Sequence, residues 1–127
     1  MIVGMGVDLA EVPRIRQAVE RHGQRFLERV YTARELAYVN RRGAASRFER
    51  LAARFAAKEA GMKAIGTGWR CGVGWQDFEV SNLAGGRPTL LLHGVAEKVA
   101  AELGVRNIVL SLTHTAELSM AVVILES

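Results

Sequence analysis

The segment that most restricts how this chain can fold is a helical run from about Arg47 to Ile65, stopped by Gly66. At about 100° per residue, Phe48, Leu51, Ala52, Phe55, Ala56 and Met62 fall on one stripe, which the rest of the chain must cover. Glu59 lies near the middle of that stripe. Burying a charge costs several kcal/mol unless it is paired or bound to a metal, so Glu59 is expected to neutralise, pair or coordinate something. Lys63 follows at the favourable i,i+4 spacing, but such a pair contributes only about 0.2–0.5 kcal/mol on an exposed face. Two readings follow: a helix edge with an internal Glu–Lys pair, or a site built around Glu59.

The flanking segments show what packs on this helix. Met1 to Leu9 reads as a short buried strand with Asp8 near its end, and Gly4 and Gly6 permit a close approach of backbone or ligand. Asp8 either caps the next turn or serves a site. Pro13 opens a helix to about His22, with Ile15 and Val19 inward and Arg14 and Arg21 outward; Arg25 follows just beyond. Three arginines along one ridge suit carboxylates or phosphates on a partner, because each guanidinium is a rigid fork of donors. The same spacing also fits a solvated charged face.

Thr32 with Glu35 makes a capping box, and the pattern recurs at Ser46 with Glu49 before the central helix. Residues 66–74 are glycine-dense and able to wrap a ligand, yet lack the lysine and hydroxyl ending of a P-loop. Phe78–Val80 and Thr89–Leu92 read as an antiparallel hairpin, followed by a helix from about Val95 to Leu103 ended by Gly104. Two closing strands, Ile108–Thr113 and Ser119–Leu125, flank a short connection holding His114, Thr115 and Glu117. His114 is either a hydrogen-bonded structural histidine or an acid, base or phosphate donor. A helical first half followed by antiparallel strands makes the fold α+β, mainly an antiparallel sheet against one long helix.

A chain of 127 residues, 50% apolar, forms one domain over residues 1–127. Its net charge of +4 favours an acidic protein, a phosphorylated small molecule or nucleic acid as partner. Aromatic residues are few and are not interleaved with arginine on the predicted strands, which disfavours a single-stranded nucleic-acid binder. The lone Cys71 forms no internal disulfide, so the expected setting is the cytoplasm. No stretch reaches the length of a membrane span, and the N-terminus lacks the pattern of a signal peptide.

Three blocks carry a resemblance that extends over nearly the whole chain. They are Gly6-Val7-Asp8-Leu9-Ala10-Glu11-Val12-Pro13-Arg14-Ile15, Arg54-Phe55-Ala56-Ala57-Lys58-Glu59-Ala60-Gly61-Met62-Lys63, and Ser111-Leu112-Thr113-His114-Thr115. Together they resemble the holo-[acyl-carrier-protein] synthases, the small bacterial type of 4'-phosphopantetheinyl transferase. The Gly66-Thr67-Gly68 connection and the Gly85-Gly86-Arg87-Pro88 turn are similar too, although the turn more commonly reads Gly-Lys-Pro. Ser119 stands where many members carry alanine.

The resemblance implies a magnesium-dependent enzyme of fatty acid biosynthesis. It would move the 4'-phosphopantetheine arm of coenzyme A, its co-substrate, to a serine of apo acyl carrier protein, releasing adenosine 3',5'-bisphosphate. Asp8 and Glu59 match the magnesium ligands, and magnesium prefers carboxylate oxygens completed by water and substrate phosphates. Lys63, with Lys58 less directly, would offset charge on the phosphates. Gly66, Gly68, Arg70, His114 and Thr115 would line the coenzyme A pocket, and Arg14, Arg21 and Arg25 would dock the acidic carrier. The serine proton would go to a water near the metal, in preference to Glu59 directly or to a water held by Asp8 or His114. The resemblance further implies a homotrimer with active sites between subunits. Two competing functions are a basic nucleic-acid-binding domain and a ligand-binding trimer without catalysis; intact Asp8, Glu59 and Lys63 argue against the second.

Overall fold

The computed structural model describes residues 1–127. Its elements follow the order β1 (Ile2–Glu11), α1 (Val12–His22), α2 (Gln24–Val30), α3 (Ala33–Arg41), α4 (Arg47–Ile65), a 3-10 turn (Trp75–Asp77), β2 (Phe78–Asn82), β3 (Pro88–Leu92), α5 (Gly94–Glu102), β4 (Asn107–His114) and β5 (Leu118–Glu126). A three-stranded antiparallel sheet of order β1-β5-β4 and the separate hairpin β2–β3 enclose α4 together with the shorter helices. The α+β class and the long central helix are as expected. No helix is long and apolar enough to cross a membrane.

The helix α4 is not amphipathic in the simple sense. Twelve of its nineteen residues are buried, so it is covered on nearly all sides. Its alanine face lies against the sheet, and there the glycines of β1 matter: a Cβ on Gly6 would sit 1.9 Å from the Ala60 carbonyl oxygen, and one on Gly4 2.3 Å from that of Ala64. Of the two partners the sequence left open for these glycines, the structure selects backbone. Gly66 ends the helix in the left-handed region at φ 82°, as its position required.

Two local expectations fail. β1 is longer than predicted and is not buried on both faces; Gly4, Gly6, Asp8 and Ala10 alternate toward α4, whereas Met5, Val7 and Leu9 are exposed on the outer face. The box at α3 forms in full, with Thr32 Oγ1 accepting from the Glu35 amide and Glu35 Oε1 accepting from the Thr32 amide. No box forms at α4. Ser46 takes a left-handed conformation, φ 64°, and makes no side-chain cap.

Candidate active site

Alternation along β1 aims Asp8 at α4, and the i,i+4 spacing of Glu59 and Lys63 places both one helical turn apart where Asp8 arrives. Lys63 Nζ donates to Asp8 Oδ1 at 2.9 Å and to the Val7 carbonyl at 3.1 Å. Asp8 and Glu59 line one cleft of about 450 Å³, walled by Leu9, Ile15, Phe26 and Phe55, with Arg14 at its edge. Burial first, then the negative charge of Asp8, raises the Glu59 carboxyl above the ordinary carboxylate range, while Lys63 and Arg14 oppose the shift. The Asp8 hydrogen bond leads in holding Lys63 above the usual lysine range, so it stays cationic.

The placement of charge on α4 differs from the expectation. Glu59 is half-buried at the cleft, not enclosed in the core. The enclosed charge is Lys58, whose side chain is 0% exposed. Its Nζ donates to Glu35 Oε1 at 2.7 Å, to the Phe78 carbonyl and to the Trp75 carbonyl at 3.2 Å. Lys58 is therefore corrected from a coenzyme-binding residue to a structural cation, since all three donors are spent inside the protein. Burial pulls its ammonium below the usual lysine range and Glu35 resists that shift.

Apart from Arg14 at its edge, the remaining predicted residues do not gather around this cleft. His114 Nδ1 is 3.1 Å from Glu49 Oε2, near the N-terminus of α4. Glu49 and Glu59 are ten residues apart, roughly 15 Å along a helix. Thr115 Oγ1 accepts from the Glu117 and Leu118 amides, closing the β4–β5 turn. Gly66, Gly68 and Arg70 lie in the loop beyond the other end of α4; Gly66 and Gly68 have positive φ, and the Gly68 amide bonds back to the Met62 carbonyl. Arg14 and Arg21 border a shallow depression on α1, and Arg25 lies on α2 beside Arg29. The ridge of arginines thus spans two helices.

Sequence reasoning assigned no role to Arg54. Its guanidinium is nearly fully buried, lies 4.3 Å from the Tyr38 ring centroid, and leaves Nε without a hydrogen-bond partner. Periodicity places Arg54 one turn before Lys58 on the same face of α4, and packing buries both.

The donor set tests the fit of a magnesium ion. No cluster of three or more His, Cys, Asp or Glu side chains exists, so protein atoms alone do not complete a shell. Two carboxylates converging on one cleft, with like-charge pressure on Glu59, suit a hard cation whose other positions go to water and phosphate oxygens.

A family profile described as the 4'-phosphopantetheinyl transferase superfamily matches residues 4–123. A holo-[acyl-carrier-protein] synthase of Solibacter usitatus is 68% identical over 127 residues, covering 100% of both chains. The crystal structure of the holo-[acyl-carrier-protein] synthase from Neisseria meningitidis superposes with a TM-score of 0.89 at 33% identity, covering 100% of both chains. That of Bacillus anthracis, in complex with coenzyme A (3',5'-ADP), gives 0.81 at 35% identity over 100% of this chain and 98% of the other.

Proposed function

The chain belongs to the 4'-phosphopantetheinyl transferase superfamily, and from that premise we propose that it carries out the holo-[acyl-carrier-protein] synthase reaction. The observation that carries this reading is that Asp8 and Glu59 line one cleft from segments about fifty residues apart in sequence, with Lys63 bonded to Asp8. In the reaction a serine Oγ of apo acyl carrier protein forms a bond to the phosphorus next to pantetheine in coenzyme A. The bond to the leaving adenosine 3',5'-bisphosphate breaks, and the serine proton departs. Phosphoryl transfer of this kind needs alignment and compensation of charge more than covalent help.

The residues of the chain divide these tasks. Asp8 and Glu59 would hold magnesium, which supplies charge neutralisation on the pyrophosphate when bound. Lys63, already cationic and bonded to Asp8, counters charge on the leaving phosphate. The serine proton would leave to a water near the metal position, in preference to Glu59 directly. Arg14, with its exposed side chain only 3.9 Å from Glu11, keeps its fork available to an acidic carrier, with Arg21 and Arg25 beyond it. His114 and the glycine-rich loop bind coenzyme A, and the enzyme works in the cytoplasm.

We assign the working form to a homotrimer. Two observations support it: the outer face pairs Met5 with Ile124, Val7 with Val122 and Leu9 with Met120 in an apolar strip without cover, and His114 lies too far along α4 to share a small site with Glu59 of the same chain. Sedimentation at micromolar concentration is expected to return a trimer; a monomer there would remove the interfacial site. The function itself is tested by mass spectrometry of apo carrier protein incubated with coenzyme A. A gain of the phosphopantetheine mass that requires magnesium is expected, and no gain with folded protein would refute the reading.

A further inference from the structure

The same residue types at the same spacing behave differently at two helix starts. Thr32 and Glu35 complete a box, whereas Glu49 of α4 leaves its own helix terminus and directs Oε2 to His114 Nδ1 at 3.1 Å. A second tie joins the same partners. Ser119, 0% exposed, is the direct cross-strand neighbour of His114, and its Oγ donates to the Glu49 carbonyl at 3.3 Å. Glu49 is thus held to the β4–β5 pair through its main chain, while its carboxylate holds the ring that β4 presents.

A carboxylate on one imidazole nitrogen selects the tautomer and the ring orientation, and the other nitrogen is left to act. Here Nδ1 is the ring nitrogen 3.1 Å from Glu49 in an ion-pair contact, which leaves Nε2 of the half-exposed ring with no hydrogen bond inside the chain. With the ring protonated, Glu49 compensates the imidazolium and Nε2–H becomes a charge-assisted donor to an anion.

We propose that Glu49 and Ser119 are positioning residues that hold His114 with Nδ1 inward and Nε2 presented to a phosphate group of coenzyme A. The kinetic consequence rests on the assignment of His114 to coenzyme A; the brace itself does not. Long-range proton–nitrogen spectra of the full-length protein read the ring directly, and the neutral ring is expected in the Nδ1–H form. Glu49→Ala is expected to shift it toward Nε2–H, Glu49→Gln to retain Nδ1–H through its amide oxygen, and Ser119→Ala, with the carboxylate intact, to broaden or mix the two forms. Glu49→Ala should also raise the Michaelis constant for coenzyme A about 10-fold, the low end of what losing an outer partner costs, with that for the carrier unchanged. A purely architectural role would lower stability in all three variants and leave the tautomer alone. Retention of Nδ1–H in Glu49→Ala overturns the brace. An unchanged coenzyme A constant in Glu49→Ala, when His114→Ala raises it, overturns its role in binding. If His114→Ala changes nothing, the coenzyme assignment of His114 falls instead, and the spectra decide the brace alone.

Discussion

Replacing Lys58 by methionine isolates the buried cation of α4 from the chemistry next to it. The substitution keeps the aliphatic stem and removes three donors, which serve Glu35 Oε1 and the Trp75 and Phe78 carbonyls. Glu35, 1% exposed, keeps the amides of Thr32 at 2.9 Å and Val80 at 2.8 Å but loses its only ion-pair partner. Glu79 stands behind it, joined through the Thr32 hydroxyl, so a second buried carboxylate also loses a nearby cation. Breaking a buried pair from one side costs about 3–5 kcal/mol, against a total stability of about 5–15 kcal/mol for a domain. At roughly 4 °C per kcal/mol for a chain of this size, Tm should fall by about 12–20 °C. Urea unfolding followed by circular dichroism measures the loss. Lys58→Met combined with Glu35→Leu should recover much of it, since an apolar pair of similar volume is often no worse than the ion pair. Below its melting range the single variant should bind coenzyme A normally. A loss under about 1 kcal/mol, or a coenzyme A constant raised in folded Lys58→Met, would refute the structural assignment.

Three further outcomes follow from the same geometry. Gly6→Ala drives a methyl against the Ala60 carbonyl and must move β1 away from α4; it should cost at least the roughly 1–3 kcal/mol of overpacking and lower transfer activity by displacing Asp8, whereas full activity would show that the contact yields freely. Because the folded Glu59 carboxyl is raised, in metal-free protein its contribution to stability is complete below the unfolded-state value and is lost as pH rises through the folded one. Added magnesium should therefore raise Tm more as pH rises through that window, and Glu59→Gln should abolish the difference; a magnesium effect independent of pH would contradict a site containing Glu59. Arg14→Ala should raise the Michaelis constant for the carrier and weaken its salt dependence while sparing coenzyme A, and steady-state kinetics at saturating coenzyme A with an unchanged carrier constant would remove Arg14 from docking.

Much was legible in the sequence because it depends on neighbours along the chain. The central helix and its glycine stop, the Thr32–Glu35 box, the β2–β3 hairpin and the closing strand pair are all set by periodicity and turn chemistry that act within a few residues. The motif blocks also carried Asp8 and Glu59, which line one cleft, and Lys63, which bonds to Asp8. What the stripe on α4 left unsettled was which of two adjacent charges is enclosed. Periodicity describes one face, and this helix is covered on nearly every face, so burial of Lys58 and half-exposure of Glu59 depend on where α3, β2 and α1 pack. Likewise Ser46–Glu49 has the composition of a cap, yet only the arrival of His114 and Ser119 from residues far along the chain determines that the carboxylate turns elsewhere. Local chemistry selects the elements and supplies the reactive groups; long-range packing decides which charges meet solvent, which meet each other, and which are left facing a ligand.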